Sequence, residues 1–218
     1  TQGKVLFEGK DLNRLSDREV SRMRNRIFGF VFQFYHLMPE LTALENVMLP
    51  GWMATSAPHR KEATQLLENV GLARRIHHLP TELSGGELQK VAVASCLAKD
   101  ADIYLIDEPS AHLDVEERLQ VADAIQETMI EKEAAAFVVD HDLLFLSYIA
   151  DSMIIFSGQT SKQGGSSEVY RVVEGLNELL KLLQITVRKD AESGRPRINS
   201  KNSVLDREQR EKNKWFSD

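Results

Sequence analysis

Two neighbouring carboxylates, Asp107 and Glu108, close an apolar run, Ile103-Tyr104-Leu105-Ile106. At the end of a buried strand such a pair repels itself and loses hydration unless a cation or a proton transfer uses it. One carboxylate suits Mg²⁺ held through water, and the other suits orienting or deprotonating an attacking water. A DE pair in a solvated turn is common, but this one follows a helix-opening Gly86 by 21 residues. Ser84, Gly85, Gly86 and Glu87 sit where that helix begins. Unpaired N–H groups at a helix start favour an anion, and glycine lets a phosphate approach the backbone. An ordinary capped helix would carry the same residues. His141, flanked by Asp140 and Asp142, ends a second apolar run and could reach a terminal phosphate. Gln33 follows a third run, GFVF, and a polar residue beyond a strand's carboxyl end is a candidate contact, with a plain loop amide as the simpler account.

The elements that must position these groups are legible in outline. Residues 4–8 read as a short strand with 9–11 as its turn, and Ser16 or Asp17 can cap a polar helix running to about Arg26. Residues 29–32 form a compact strand. A helical segment over 40–82 opens on Thr42-Ala43-Leu44-Glu45, a capping-box pattern. Its second helix carries Ala63, Leu66, Leu67 and Val70 at helical spacing and stops at Gly71. After the helix that starts at Ser84, strands are expected at 103–106, 135–139 and 152–156, with a helix over 114–132. Strands alternating with long helices predict an α/β fold with a mainly parallel sheet flanked by helices. Residues 159–167 (QTSKQGGSS) read as a polar, flexible break. Beyond it Val169, Val172, Val173, Leu176, Leu179, Leu180 and Leu183 trace an amphipathic helix, and 185–187 is strand-like. The expected layout is 1–39 partial core with Gln33, 40–84 helical subdomain, 85–158 core, and 159–218 C-terminal helix and basic tail.

Composition excludes several classes of function. A net charge of -6 with 42% hydrophobic residues argues against a protein that coats nucleic acid through its overall field. Cys96 is the only cysteine, so an internal disulfide and an all-cysteine metal site are both excluded, and a reducing, cytoplasmic setting is expected. His77-His78 lacks a second ligand pair and reads as solvated loop residues. No apolar run approaches the ~18 residues of a membrane span and no signal-peptide pattern opens the chain, so a membrane role requires a partner. Residues 188–218 hold nine Lys/Arg against six Asp/Glu, a local +3, and end near Trp215-Phe216. Such a basic, aromatic-tipped tail could touch RNA phosphates; a solvated, partly disordered tail is the alternative.

The stretch LSGGE (83–87), the run from Ile103 to Glu108, the Ser110-to-Asp114 stretch and His141 resemble the signature motif, Walker B, D-loop and switch histidine of ATP-binding cassette (ABC) ATPases, and Gln33 matches the Q-loop glutamine. Residues 1 to about 80, with GFVFQFYHLMPELTALENVMLP, resemble Lol-type lipoprotein-release and macrolide-export ATPases. From about 82 onward, AAAFVVDHD and ITVRKD with RPRINSKNS resemble the second nucleotide-binding domain of the ribosome-recycling ABC ATPase, the RNase L inhibitor family. The two resemblances meet around PTELSGGE, which implies a chimera. The resemblance implies ATP and Mg²⁺ as ligands and a head-to-tail partnership with a second ABC nucleotide-binding domain. Ser84, Gly85, Gly86 and Glu87 would meet the partner's ATP. Asp107 would hold Mg²⁺ through water, and Glu108 would polarise the attacking water. Gln33, also near the metal, and His141 would sense the γ-phosphate, while Asp114 would couple the two sites. The sequence departs from the family: it contains no GxxxxGK followed by Ser or Thr, nor the upstream strand with the adenine-stacking aromatic, nor the recycling family's cysteine-rich iron–sulfur and first nucleotide-binding domains, so the chain as it stands is expected to hydrolyse ATP negligibly. Three roles follow: a recycling-type ATPase fragment acting in translation, the ATPase of an exporter with a membrane permease as partner, or a non-catalytic module that offers its signature loop.

Overall fold

The computed structural model describes residues 3–31, 35–53, 60–159, 163–189 and 196–217, and Gln33 lies outside them. The chain forms two compact units, Thr1–His141 and Asp142–Asp218.

In the first unit, β1 (Leu6–Phe7) and β2 (Lys10–Asp11) pair antiparallel across the expected turn. Ser16 caps α1 (Asp17–Ile27) in a reciprocal box with Glu19, whose carboxyl is held below its ordinary range chiefly by the Ser16 hydroxyl. α1 runs into β3 (Phe28–Val31). Thr42 and Glu45 form the anticipated capping box at the start of α2 (Ala43–Met53), and α3 (Arg60–Asn69) buries Ala63, Leu66 and Leu67. Then come α4 (Gly85–Leu97), β4 (Ile103–Asp107), α5 (Val115–Glu131) and β5 (Ala135–Val139). β3, β4 and β5 make a three-stranded parallel sheet in that order, with Gly29 opposite Tyr104 and Tyr104 opposite Ala136.

The unit is organised around α4. Val91, Val93, Ala94 and Leu97 are fully buried, so the helix is covered on several sides, by α2, α3, α5 and β3. That explains its lack of a single apolar stripe. Small residues let its neighbours approach closely. Cys96 packs in this core, where burial pushes its thiol up to about 12 and keeps it protonated. On the adjacent sheet face, a Cβ on Gly29 would stand 2.6 Å from the Tyr104 ring, so glycine makes room for the largest buried side chain of the unit. The opposite sheet face leaves Phe137 and Val139 exposed.

The second unit departs from expectation. The strand foreseen over 152–156 is split into β6 (Ser152–Met153), after the short helix α6 (Leu143–Ile149), and β7 (Phe156–Gln159). β7 pairs antiparallel with β8 (Gln163–Ser166), so part of the supposed flexible break is a hairpin. β6 pairs antiparallel with β9 (Tyr170–Arg171) and does not extend the parallel sheet. The amphipathic helix is present as α7 (Val172–Leu183), ended by Gln184 in the left-handed region.

The basic tail is folded in its described parts. β10 (Val187–Lys189) pairs with β11 (Pro196–Ile198) and with β12 (Phe216–Ser217), and α8 (Val204–Glu211) lies between the last two in sequence. Trp215 is buried with Leu180 and Val187, and the Arg210 guanidinium lies 4.8 Å from its ring centroid. The tail therefore does not present Trp215 as an open stacking surface. Beneath it, Asp206 accepts from Thr186 Oγ1 (2.6 Å), from the Asn202 N–H (2.8 Å) and from Arg210 Nε (2.9 Å). These bonds, Thr186 first, hold its carboxyl down to about 2. Asn199 links Thr186, Gln209 and Arg188, completing a buried polar core.

Candidate phosphate-handling site

β4 carries the carboxylates. Asp107, its last residue, is exposed, so it keeps its water. Glu108 adopts the left-handed region (φ 48°), a conformation that costs a non-glycine residue roughly 1–2 kcal/mol. Several bonds hold it there. Its N–H donates to the Val139 carbonyl (2.7 Å), and its carbonyl accepts from the Ala111 N–H (3.1 Å) and from Gln89 Nε2 (3.1 Å). Two residues on, Ser110 donates through both N–H and hydroxyl to Asp140 (3.0 and 2.8 Å), which ties this segment to the end of β5. The result brings Glu108 Oε1 within 2.9 Å of His141 Nε2. The Glu108 side chain is 23% exposed and that of His141 is 89% exposed, so the pair opens to solvent from an anchored backbone. The expected crowding of two desolvated carboxylates is thus relieved: one is hydrated and the other faces a histidine.

The start of α4 is the second part. The Ser84 hydroxyl accepts from the Glu87 N–H (3.2 Å), and the Glu87 carboxylate accepts from the Ser84 N–H (2.8 Å) and from Arg75 Nε (2.9 Å). The Ser84 backbone bond is the largest cause of the lowered Glu87 carboxyl. This reciprocal box uses the first and fourth N–H groups of the helix start and leaves those of Gly85 and Gly86 for an outside acceptor. Gly85 is exposed, whereas Gly86 is buried, and a Cβ on Gly86 would lie 2.8 Å from the His112 carbonyl oxygen. The two glycines therefore differ in duty: Gly85 faces outward, and Gly86 lets the helix abut the 110–113 turn.

Asp114 joins the two parts. It caps α5, accepting from the Glu117 N–H (2.9 Å) and donating its own N–H back to Glu117 (3.1 Å). Glu117 in turn meets Lys90 Nζ of α4 at 2.7 Å. Seven of the expected residues, Ser84, Gly85, Gly86, Glu87, Glu108, Asp114 and His141, are thus linked through one continuous stretch of contacts, with Asp107 exposed at its edge. Sequence reasoning missed Gln89, Lys90, Ser110 and Asp140. Gln89 and Lys90 carry no signal, being ordinary helix residues, although Ser110 and Asp140 flank motifs already singled out.

The donor set fits a phosphate-bound divalent ion. It offers an exposed carboxylate at a strand end, and no group of three or more metal-ligating side chains occurs among the described residues. Mg²⁺ is ordinarily held by one or two carboxylates together with phosphate and water, which matches an open half-site rather than a closed cage.

The ABC transporter family model matches residues 1–111. The chain is 49% identical over 153 residues to an uncharacterized ABC transporter ATP-binding protein of Methanocaldococcus jannaschii, covering 70% of this chain and 26% of that protein. It is 38% identical over 164 residues to the lipoprotein-releasing system ATP-binding protein LolD of Saccharophagus degradans, covering 74% and 72%. Among solved structures, it resembles an archaeal ribosome recycling factor crystallised with the ribosomal stalk protein (TM-score 0.71, 39% identity, 88% of this chain and 37% of that one). It also resembles a dimeric ATP-binding cassette bound to ADP and phosphate (TM-score 0.64, 34% identity, 71% and 68%). The chain spans about a quarter of the length of the first two curated relatives it matches. With the family model over half its length and a relative 38% identical over 72% of that protein, this chain belongs to the ABC transporter family of ATP-binding proteins.

Proposed function

We propose that the chain is the ATP-handling part of an ABC ATPase of the ribosome-recycling kind, working head to tail with a second ABC domain in the cytoplasm. The observation that carries the ATP-handling part is the exposed Gly85 at the start of a helix whose first turn is locked by the Ser84–Glu87 box. In this reading that helix start caps the terminal phosphate of ATP bound to the partner. Asp107 is the carboxylate that would hold Mg²⁺ through water, and the ion, bound with ATP, neutralises phosphate charge. Glu108 would orient an attacking water while His141, 2.9 Å away, steadies its carboxylate and meets the terminal phosphate. Gln33 is assigned the companion sensing role from its sequence alone. Asp114, hydrogen-bonded into the start of α5, would pass displacement between the two sites.

The recycling branch is favoured because the similarity to the archaeal recycling factor reaches across 88% of the chain. The LolD match favours a second reading, the ATPase of a lipoprotein-release or related exporter that acts on a membrane permease. Co-sedimentation separates them: the first expects Mg-ATP-dependent binding to ribosomal subunits, and the second expects binding to a permease in detergent and none to subunits. The 218 residues, as they stand, are proposed to supply signature and carboxylates but not the phosphate loop. ATP turnover by this chain alone should therefore stay at background; turnover that Glu108→Gln abolishes would overturn that point.

A further inference from the structure

Gln89 is the least explained side chain of the first unit. It is 1% exposed and, with Lys90, one of two buried polar side chains on a helix otherwise buried through small and apolar residues. Its Nε2 donates to the Glu108 carbonyl, and its Oε1 has no hydrogen-bond partner among the described residues. A buried acceptor left without a donor is costly, and a Met or Leu of similar volume would remove that cost. Packing therefore does not account for an amide here. The bond to Glu108 does.

We propose that Gln89 is a positioning residue, which from the signature helix holds the backbone of Glu108 in its left-handed conformation and so aims the Glu108 carboxylate. The proposal deepens the functional reading above and rests on it for its consequence. The next residue strengthens it. Lys90 meets Glu117, and Glu117 binds Asp114, so consecutive residues of α4 hold both ends of the 108–114 segment. Gly86, one turn earlier, abuts the middle of the same segment at the His112 carbonyl. A shift of the α4 start on capping a partner's phosphate would be handed through Gln89 to Glu108. The Gln89 bond reaches Glu108 itself, while Lys90 reaches Asp114 through Glu117.

The test uses amide hydrogen exchange on the whole chain, comparing wild type with Gln89→Met, which keeps volume and deletes the donor. The expected result is at least about tenfold faster exchange at Glu108 and Ala111, with β4 and the rest of α4 still protected and the melting midpoint unchanged or higher. Unchanged exchange at Glu108 and Ala111 overturns the proposal, as does a general loss of protection across α4 and β4, because either assigns Gln89 to the fold alone. Should Gln89→Met not fold, Gln89→Leu takes its place, and failure of both overturns the proposal. A second arm adds an intact, ATP-loaded ABC domain: exchange at Glu108 should slow in wild type but not in the variant, while Gly85 and Gly86 gain protection in both. Equal slowing in both overturns the coupling. If neither protein binds the partner, the functional reading fails, and the first comparison alone decides the role of Gln89.

Discussion

A Cβ on Gly86 would lie 2.8 Å from a backbone oxygen, whereas one on Gly85 would meet nothing nearer than 3.6 Å. The consequence is a sharp difference between neighbours. Gly86→Ala should destabilise the first unit by roughly 1–3 kcal/mol, because His112 is fixed in a tight turn and cannot retreat freely. Gly85→Ala should change stability by less than about 1 kcal/mol, since it opens a helix and faces solvent. Urea unfolding of the two variants measures the contrast. In the sequence both glycines read alike, as residues that admit a phosphate. Only the turn packed against Gly86, 26 positions further along the chain, separates them. Glu108 and His141 were each legible because each follows an apolar run; their contact follows from strand ends of one parallel sheet lying side by side. The left-handed backbone of Glu108 was not legible, since it depends on Gln89, Val139 and Ala111 acting together.

Among the elements, α4 and α5 are fastened by the Lys90–Glu117 pair, whose members are unequally exposed: Lys90 5% and Glu117 30%. Removing Glu117 strands a buried ammonium, whereas removing Lys90 leaves a carboxylate that water can still reach. Glu117→Ala should therefore cost roughly 3 kcal/mol and Lys90→Met no more than about 1 kcal/mol, as chemical denaturation would show. A similar cost for both would mean that the bridge is solvated and the asymmetry wrong. Elements set by neighbouring residues were readable in advance: the Thr42/Glu45 box at α2, the helix start at Ser84, and the apolar run of β4. Elements set by distant partners were not. β6 and β7 lie in what looked like one strand because Met153 pairs with Tyr170 while Phe156 pairs with Ser166, two different antiparallel partners for five residues of chain.

Across the whole molecule, the two units stand on different chemistry. The first buries Asn46, Gln89, Lys90, Ser110 and Thr128 at separate places in a mainly apolar core, whereas the second joins Thr186, Asn199, Asp206 and Gln209 in one hydrogen-bonded cluster beside Trp215. Asp206 titrates near 2 when folded, against about 4 in an unfolded chain, so its stabilisation is complete above about pH 4 and is lost as pH falls towards 2. The second unit should accordingly loosen in that window, followed by Trp215 fluorescence, and Asp206→Asn should flatten the pH dependence while lowering stability at neutral pH. Charge counting made residues 188–218 look like an open basic tail; Trp215 and Phe216 are instead tied by their N–H groups to Asn177, 38 and 39 residues earlier, a contact no local pattern announces. The central claim, that the start of α4 caps ATP held by a second ABC domain, is tested most directly by sedimentation of this chain with an intact, hydrolysis-deficient ABC domain. A complex that requires Mg-ATP and is lost in Gly85→Asp, a variant that still folds, is the predicted result. Association that ignores ATP, or that survives Gly85→Asp unchanged, would contradict it.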